Sequence, residues 1–131
     1  MKDEGQNESE ARDLGLRTKQ FALRAIKVFS ALPKTTAAQV LGRQMLRSAT
    51  SVGAHYREAR RAKSDADFVS KVEGALQELD ETGYWLELLA ESGIITAARL
   101  QPLLAETNEV IAILVSITKK AKGRRNNEGK D

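Results

Sequence analysis

The chain changes sign at Ser64. Residues 14–63 carry eleven Lys and Arg against one acid, whereas residues 64–118 carry ten Asp and Glu against two bases. Both stretches also repeat their apolar residues at the three- and four-residue spacing of amphipathic helices. Such a chain gains by folding a basic helical pair onto an acidic one, because the opposite fields attract and every helix has an apolar face to bury. The net charge of +3 conceals that division. With 131 residues there is length for one ordinary core and none for a second domain.

Four segments carry the helical period. The first is expected from about residue 12 to 32, with Leu14, Phe21, Ala25, Val28, Phe29 and Leu32 on one face and Pro33 as its stop. Thr36 with Gln39 makes a capping-box pattern that opens a second helix over 36–63. Its apolar stripe is Leu41, Met45, Ala49, Val52, Tyr56 and Ala59, and beside it runs a polar stripe of Gln44, Ser48, Ser51, His55 and Glu58. Ser64 with Asp67 repeats the capping signature and begins a third helix over 65–92. There Phe68, Val72, Ala75, Leu79, Thr82, Leu86 and Leu89 keep the 3.5-residue spacing of helices packed side by side. Gly93 closes that helix. Thr96 caps a fourth over 97–120, unless Pro102 moves its regular part toward Leu100 or bends it. Residues 1–11 and 122–131 lack apolar periodicity, so an acidic and a basic disordered tail are expected at the two ends.

These short connections between long helices predict an all-α, antiparallel up-and-down four-helix bundle. On the fourth helix, Leu103, Leu104, Val110, Ile111, Ile113, Leu114 and Ile117 cover more than one face. A helix apolar on two sides needs two partners. The expected second partner is another copy of the chain, with Leu103, Val110, Ile113 and Ile117 as interface candidates; a helix deeply buried in a single bundle is the alternative.

Chemistry is sparse. Without cysteine there is neither a disulfide framework nor a thiolate site. The polar start MKDEGQNESEARD has no apolar core of a secretory signal. The longest strongly apolar uncharged run, Val110 to Thr118, would reach only about 14 Å as a helix, against the ~30 Å of a bilayer interior. A cytoplasmic protein with no membrane partner is therefore expected.

His55 and Glu58 share a helix face, but a di-iron bundle needs two Glu-x-x-His pairs and two further Glu. No metal, cofactor or small-molecule substrate is assigned. Glu78 and Glu81 suit pairing with Arg43, Arg47, Arg57 or Arg60, which would fix how the two halves dock. The expected structural polar network is Gln44, Arg47, Ser48, Ser51, His55, Glu58, Glu78 and Glu81. No nucleophile stands with a base and no phosphate-cradling loop is visible, so the chain is not expected to be an enzyme. Nucleic acid is the stronger possibility: Arg57, Arg60, Arg61, Lys63, Lys119, Lys120, Lys122, Arg124 and Arg125 can form a positive band toward phosphates. Few aromatics interleave with them, so any binding reads backbone rather than base. The competing reading is a protein–protein adaptor whose cations are spent on its own acids; a metal-dependent enzyme is the third.

The segments RSATSVGAHYREARRAKSDADF and ALQELDETGYWLELL resemble the small four-helix bundle proteins related to those encoded in intervening sequences of bacterial large-subunit ribosomal RNA genes, also labelled S23 ribosomal protein-like. The resemblance covers residues 14–120. Gln44, Arg47, Ser48, Ala49 and Ser51, the turn from Glu58 to Arg60 with Ser64 and Phe68, and Glu78, Glu81 and Tyr84 to Leu89 carry it. It implies a bundle assembling into a homo-oligomeric ring, with pentamers among relatives, and no established catalysis. At His55 the chain departs from the family, where Asn is usual.

Overall fold

The computed structural model describes residues 4–128. It contains four helices and, among the described residues, no strand: α1 Glu4–Ala31, α2 Thr36–Arg60, α3 Asp65–Glu91 and α4 Ala97–Glu128. Each lies within a few residues of its expected place on at least one end. The differences have local causes. Residues 4–11, expected as part of a disordered tail, continue α1, and residues 122–128, likewise expected to be disordered, continue α4. Once a packed helix exists, each added residue needs only propagation and no new nucleus, so apolar period is not required for extension. Residues 1–3 and 129–131 lie outside the described residues.

Helix ends follow their hydroxyls. Thr35 rather than Thr36 is the N-cap of α2: it sits in extended backbone and accepts from the Ala38 amide at 3.3 Å. The side chain of Gln39 turns instead to donate to the Pro33 carbonyl at 3.0 Å. α2 stops at Arg60, three residues before the expected Lys63, because Ser64 already accepts from the Asp67 amide at 3.1 Å and Asp67 reaches back to the Lys63 amide at 3.4 Å. Gly93 takes φ 76°, the left-handed turn that ends α3 without the Cβ clash other residues suffer. Thr96 caps α4 through the Arg99 amide at 3.3 Å. α4 runs on through Pro102, so its regular part does not wait for Leu100. Ala98 and Pro102 are both exposed, which leaves to water the carbonyl that proline cannot serve.

The core is one apolar cluster contributed by all four helices, with Phe21, Met45, Leu79, Leu86, Leu89, Leu100 and Leu114 fully enclosed. On α3 the buried stripe is Val69, Val72, Ala75, Leu79, Thr82, Leu86 and Leu89. It differs from expectation only at its start, where Val69 replaces the half-buried Phe68. Gly42 brings α2 close to α1: a Cβ there would lie 2.5 Å from Leu32 Cδ1 and 3.0 Å from Phe29 Cδ1. Toward the other end of the same pair, Gly53 meets Thr18 and Gly15 meets the Arg60 guanidinium. Between α2 and α3, Arg47 meets Glu81, His55 meets Gly74, and Glu58 meets Lys71. Between α3 and α4, Gly83 lies against Thr107 and Glu73 against Lys122. At each interface, later residues of one helix thus meet earlier residues of the next.

The four helices are not equally joined. α3 packs extensively on both α2 and α4 and α1 packs along α2, but α1 touches α4 only sparsely. A bidentate pair closes that side: Arg17 Nε donates to Glu106 Oε2 at 2.7 Å, and Nη2 donates to Glu106 Oε1 at 2.8 Å and Glu109 Oε2 at 3.0 Å.

α4 also corrects the expectation drawn from its longest uncharged run. Over Ala97–Arg124 it contains an 18-residue window of mean hydropathy 1.3, long and apolar enough to cross a membrane by length and composition. Only 28% of that window is buried. Glu106 and Glu109 lie within this helix, and placing Glu106 with its Arg17 partner in hydrocarbon would be costly.

Candidate functional site

Two polar regions stand out from the packed core. One is a seam between α2 and α3. Ser48 and Thr82 are fully buried, and their hydroxyls meet at 2.8 Å. Thr82 also donates to the Glu78 carbonyl at 2.8 Å, and Ser48 has the Met45 carbonyl at 3.1 Å. Two protons therefore serve three acceptor contacts, so each hydroxyl keeps a partner inside its own helix if the other is removed.

Outward from that bond, Arg47 lies 3.5 Å from Glu78 Oε2 and 3.4 Å from Glu81 Oε1. His55 Nε2 is 3.9 Å from Glu78 Oε1, beyond hydrogen-bond reach, and the ring covers the Cα of Gly74. Glu78 Oε2 is buried and close to Arg47 in charge, yet it has no hydrogen bond of good geometry; the Trp85 indole nitrogen is likewise buried without a partner.

The seam is smaller than the sequence pattern implied. Gln44 is exposed and joins no hydrogen bond among those described. Ser51 donates to its own Arg47 carbonyl at 2.7 Å. Glu58 leaves His55 for Lys71 at 3.5 Å. Of the four arginines considered for Glu78 and Glu81, only Arg47 makes a described ion pair with them. Among the described residues no group of three or more His, Asp and Glu side chains could hold a metal ion.

The second region is basic. Arg57, Arg60, Arg61 and Lys63, from the end of α2 and the turn after it, are exposed. Lys119, Lys120, Lys122 and Arg124, on the last turns of α4, are exposed too. The fold carries both sets to one end of the molecule: Arg124 lies 3.5 Å from Asp65 at the start of α3, just after the arginine turn. Lys122 lies 3.5 Å from Glu73. Those two cations are thus partly answered by acids, whereas Arg57, Arg61, Lys63, Lys119 and Lys120 have no ion pair among the described residues. The Arg60 guanidinium lies over Gly15 of α1 and next to Tyr56, whose hydroxyl is pushed up in pKa by burial. Arg125 falls in α4, and its side chain lies outside those described.

The interface candidates on α4 divide. Leu103 and Val110 are core residues of their own chain, at 3% and 0% exposure, and cannot face a second copy. They sit on the single buried stripe of Leu100, Leu103, Thr107, Val110, Leu114, Thr118 and Ala121. Ile113 and Ile117 are half-buried at its flank. Sequence reasoning missed a plainer exposed surface: Leu16, Leu23 and Ile26 on α1 are 56%, 53% and 43% exposed. Their seven- and three-residue spacing was the available signal, hidden because a stronger stripe occupies the opposite side of the helix.

Comparison with known proteins agrees with this architecture. Residues 15–116 match the family model for the 23S rRNA-intervening sequence protein. Among solved structures, the chain is similar to a protein of unknown function from the S23 ribosomal protein family of Bacteroides thetaiotaomicron VPI-5482. The two are 37% identical, the alignment covers 83% of this chain and 97% of the other, and the TM-score is 0.78. No match was found among curated proteins. The matched region spans the helices that carry both the polar seam and the arginine turn, and the chain belongs to the 23S rRNA-intervening sequence protein family.

Proposed function

We propose that the protein is a non-enzymatic, cytoplasmic binding and scaffold protein: an antiparallel up-and-down bundle whose copies assemble into a homo-oligomeric ring of five and engage RNA or a ribonucleoprotein through phosphate charge. The antiparallel reading is supported by the reversed pairing at every interface between successive helices. The observation that carries the ligand class is the convergence of Arg57, Arg61 and Lys63 with Lys119 and Lys120 at one end, all exposed and without an acid partner among those described. A cluster of this kind releases counterions when it meets a phosphate backbone, and in a ring it would be repeated and gain by multivalency.

The test is RNA binding measured across a salt series, with unrelated RNA sequences and with Arg57, Arg61, Lys119 and Lys120 reversed to Glu. Affinity should fall steeply with salt, the slope should shrink by about 0.7 per lost contact to a single strand, and all sequences should weaken alike. Salt-insensitive binding that survives the reversal would reject the basic end as the contact. An adaptor without nucleic-acid binding is the second reading, favoured by the internal pairs Lys122–Glu73 and Arg124–Asp65, and absence of any RNA binding at low salt would select it.

A further inference from the structure

Two surfaces of the chain remain uncovered, and they complement each other. The first is the outer side of α1. Leu16, Leu23 and Ile26 project opposite the buried stripe of Leu14, Phe21 and Ala25, so no other part of the same core can cover them. Lys19 and Lys27 are exposed on that same outer side and have no ion pair among the described residues.

The second surface is a groove along the outside of α3 and α4. It comprises a hollow of about 520 Å³, bordered by Tyr84, Leu104 and Ile111, and a second of about 410 Å³, bordered by Leu76, Ile111 and Val115. Asp80 and Ile111 border both, so the two hollows are adjacent. Tyr84 and Val115 are exposed apolar residues here, at 55% and 36%. Asp80 and Glu87 stand on the groove, exposed and without an ion pair among the described residues.

We propose, resting on the oligomeric reading above, that the outer stripe of α1 in one copy docks into the α3–α4 groove of a second copy. The apolar stripe and the groove's Leu76, Tyr84, Ile111 and Val115 supply the apolar buried area, and the charges of the mixed groove set the register. At 1.5 Å per residue, Lys19 and Lys27 are about 12 Å apart along α1, while Asp80 and Glu87 are about 10.5 Å apart along α3. Both lysines can therefore meet both acids at once. The two surfaces differ, so the contact is heterologous: every copy offers one stripe and accepts one, and a rotation that closes yields a ring without a two-fold axis. Such an interface also explains why α1 tolerates apolar residues on two opposite sides and why most of the apolar window of α4 is not buried by its own chain.

The experiment is the solution mass of the full chain by light scattering and sedimentation over a concentration series. Three variants accompany the wild type: Lys19→Glu with Lys27→Glu, Asp80→Lys with Glu87→Lys, and all four together. Every substitution is at an exposed site, so helical content should be unchanged by circular dichroism. Each double reversal should weaken assembly about tenfold or more, and the fourfold variant should recover it, because attraction is restored with the signs exchanged. A wild-type assembly indifferent to both double reversals, or a fourfold variant that stays dissociated, overturns this pairing while leaving oligomerisation standing. A wild-type chain of single-copy mass at every concentration overturns the oligomeric reading itself.

Discussion

Replacing Arg17 by Met should loosen α1 from α4. The residue makes the bidentate bond to Glu106 at 2.7 and 2.8 Å, a third bond to Glu109 at 3.0 Å, and bridges the side of the bundle where the two helices otherwise scarcely touch. A hydrogen bond to a charged group is worth about 1.5–3 kcal/mol. One third of the Arg17 side chain is open to water, so screening lowers the expectation to about 1–2 kcal/mol. Met retains the apolar stem and isolates the loss of the guanidinium. The pH dependence tests the same bond independently. The hydrogen bond from Arg17 holds the Glu106 carboxyl below its ordinary 4.5, against the opposing effect of burial. In acid the folded chain therefore binds fewer protons at this group than the unfolded chain does. Its stabilisation is complete above pH 4.5 and is lost as pH falls through the lower, folded value. Urea unfolding at fixed protein concentration, followed by circular dichroism from pH 7 down to pH 3, should show a lower midpoint for Arg17→Met at neutral pH and a shallower decline in acid. Amide exchange in α1 should accelerate more than in α3. A variant with the wild-type midpoint and the wild-type acid limb would refute the assignment of this pair as the closure of the bundle.

Two further perturbations bear on single links of the argument. Ser48→Ala and Thr82→Val should each cost about 0.5–1.5 kcal/mol, because the surviving hydroxyl still has a carbonyl in its own helix; a double-mutant cycle by denaturant unfolding should give a coupling of similar size, and a single loss of about 3 kcal/mol or more would mean that an orphaned hydroxyl had been left behind. Gly93→Ala should destabilise by about 1–2 kcal/mol in thermal unfolding, since the backbone there has φ 76° and no neighbour lies near enough for a Cβ to gain packing; an unchanged melting temperature would contradict that reasoning.

Local chemistry explains why so much of the fold was legible. The stop at Pro33, the Ser64 cap, the Gly93 turn and the a/d run from Val72 to Leu89 each depend on residues a few positions apart, and those neighbours stay neighbours in any fold the chain adopts. The seam was partly legible for the same reason. Arg47 and Ser48 share a stripe of α2 with Gln44 and Ser51, yet only the first two make a described bond across to α3, while Ser51 turns back to its own Arg47 carbonyl. Which members of one stripe find a partner is set by crossing geometry, which no single helix encodes.

The amino-acid order by itself settled the helical class, the four segments to within a few residues on at least one end of each, the charge division at Ser64, and the buried stripe of α3 from Val72 onward. These follow from turn chemistry and from a 3.6-residue period, both short-range. Only the tertiary structure decided that Leu103 and Val110 belong to the interior while Leu16, Leu23 and Ile26 do not. It alone also carried the arginine turn to the same end as the last turns of α4, through Asp65 and Arg124, and chose Arg17 to join α1 to α4. Partners 59 and 89 residues apart in the chain are matched by packing, and packing depends on how every helix rotates to bury its whole apolar face at once.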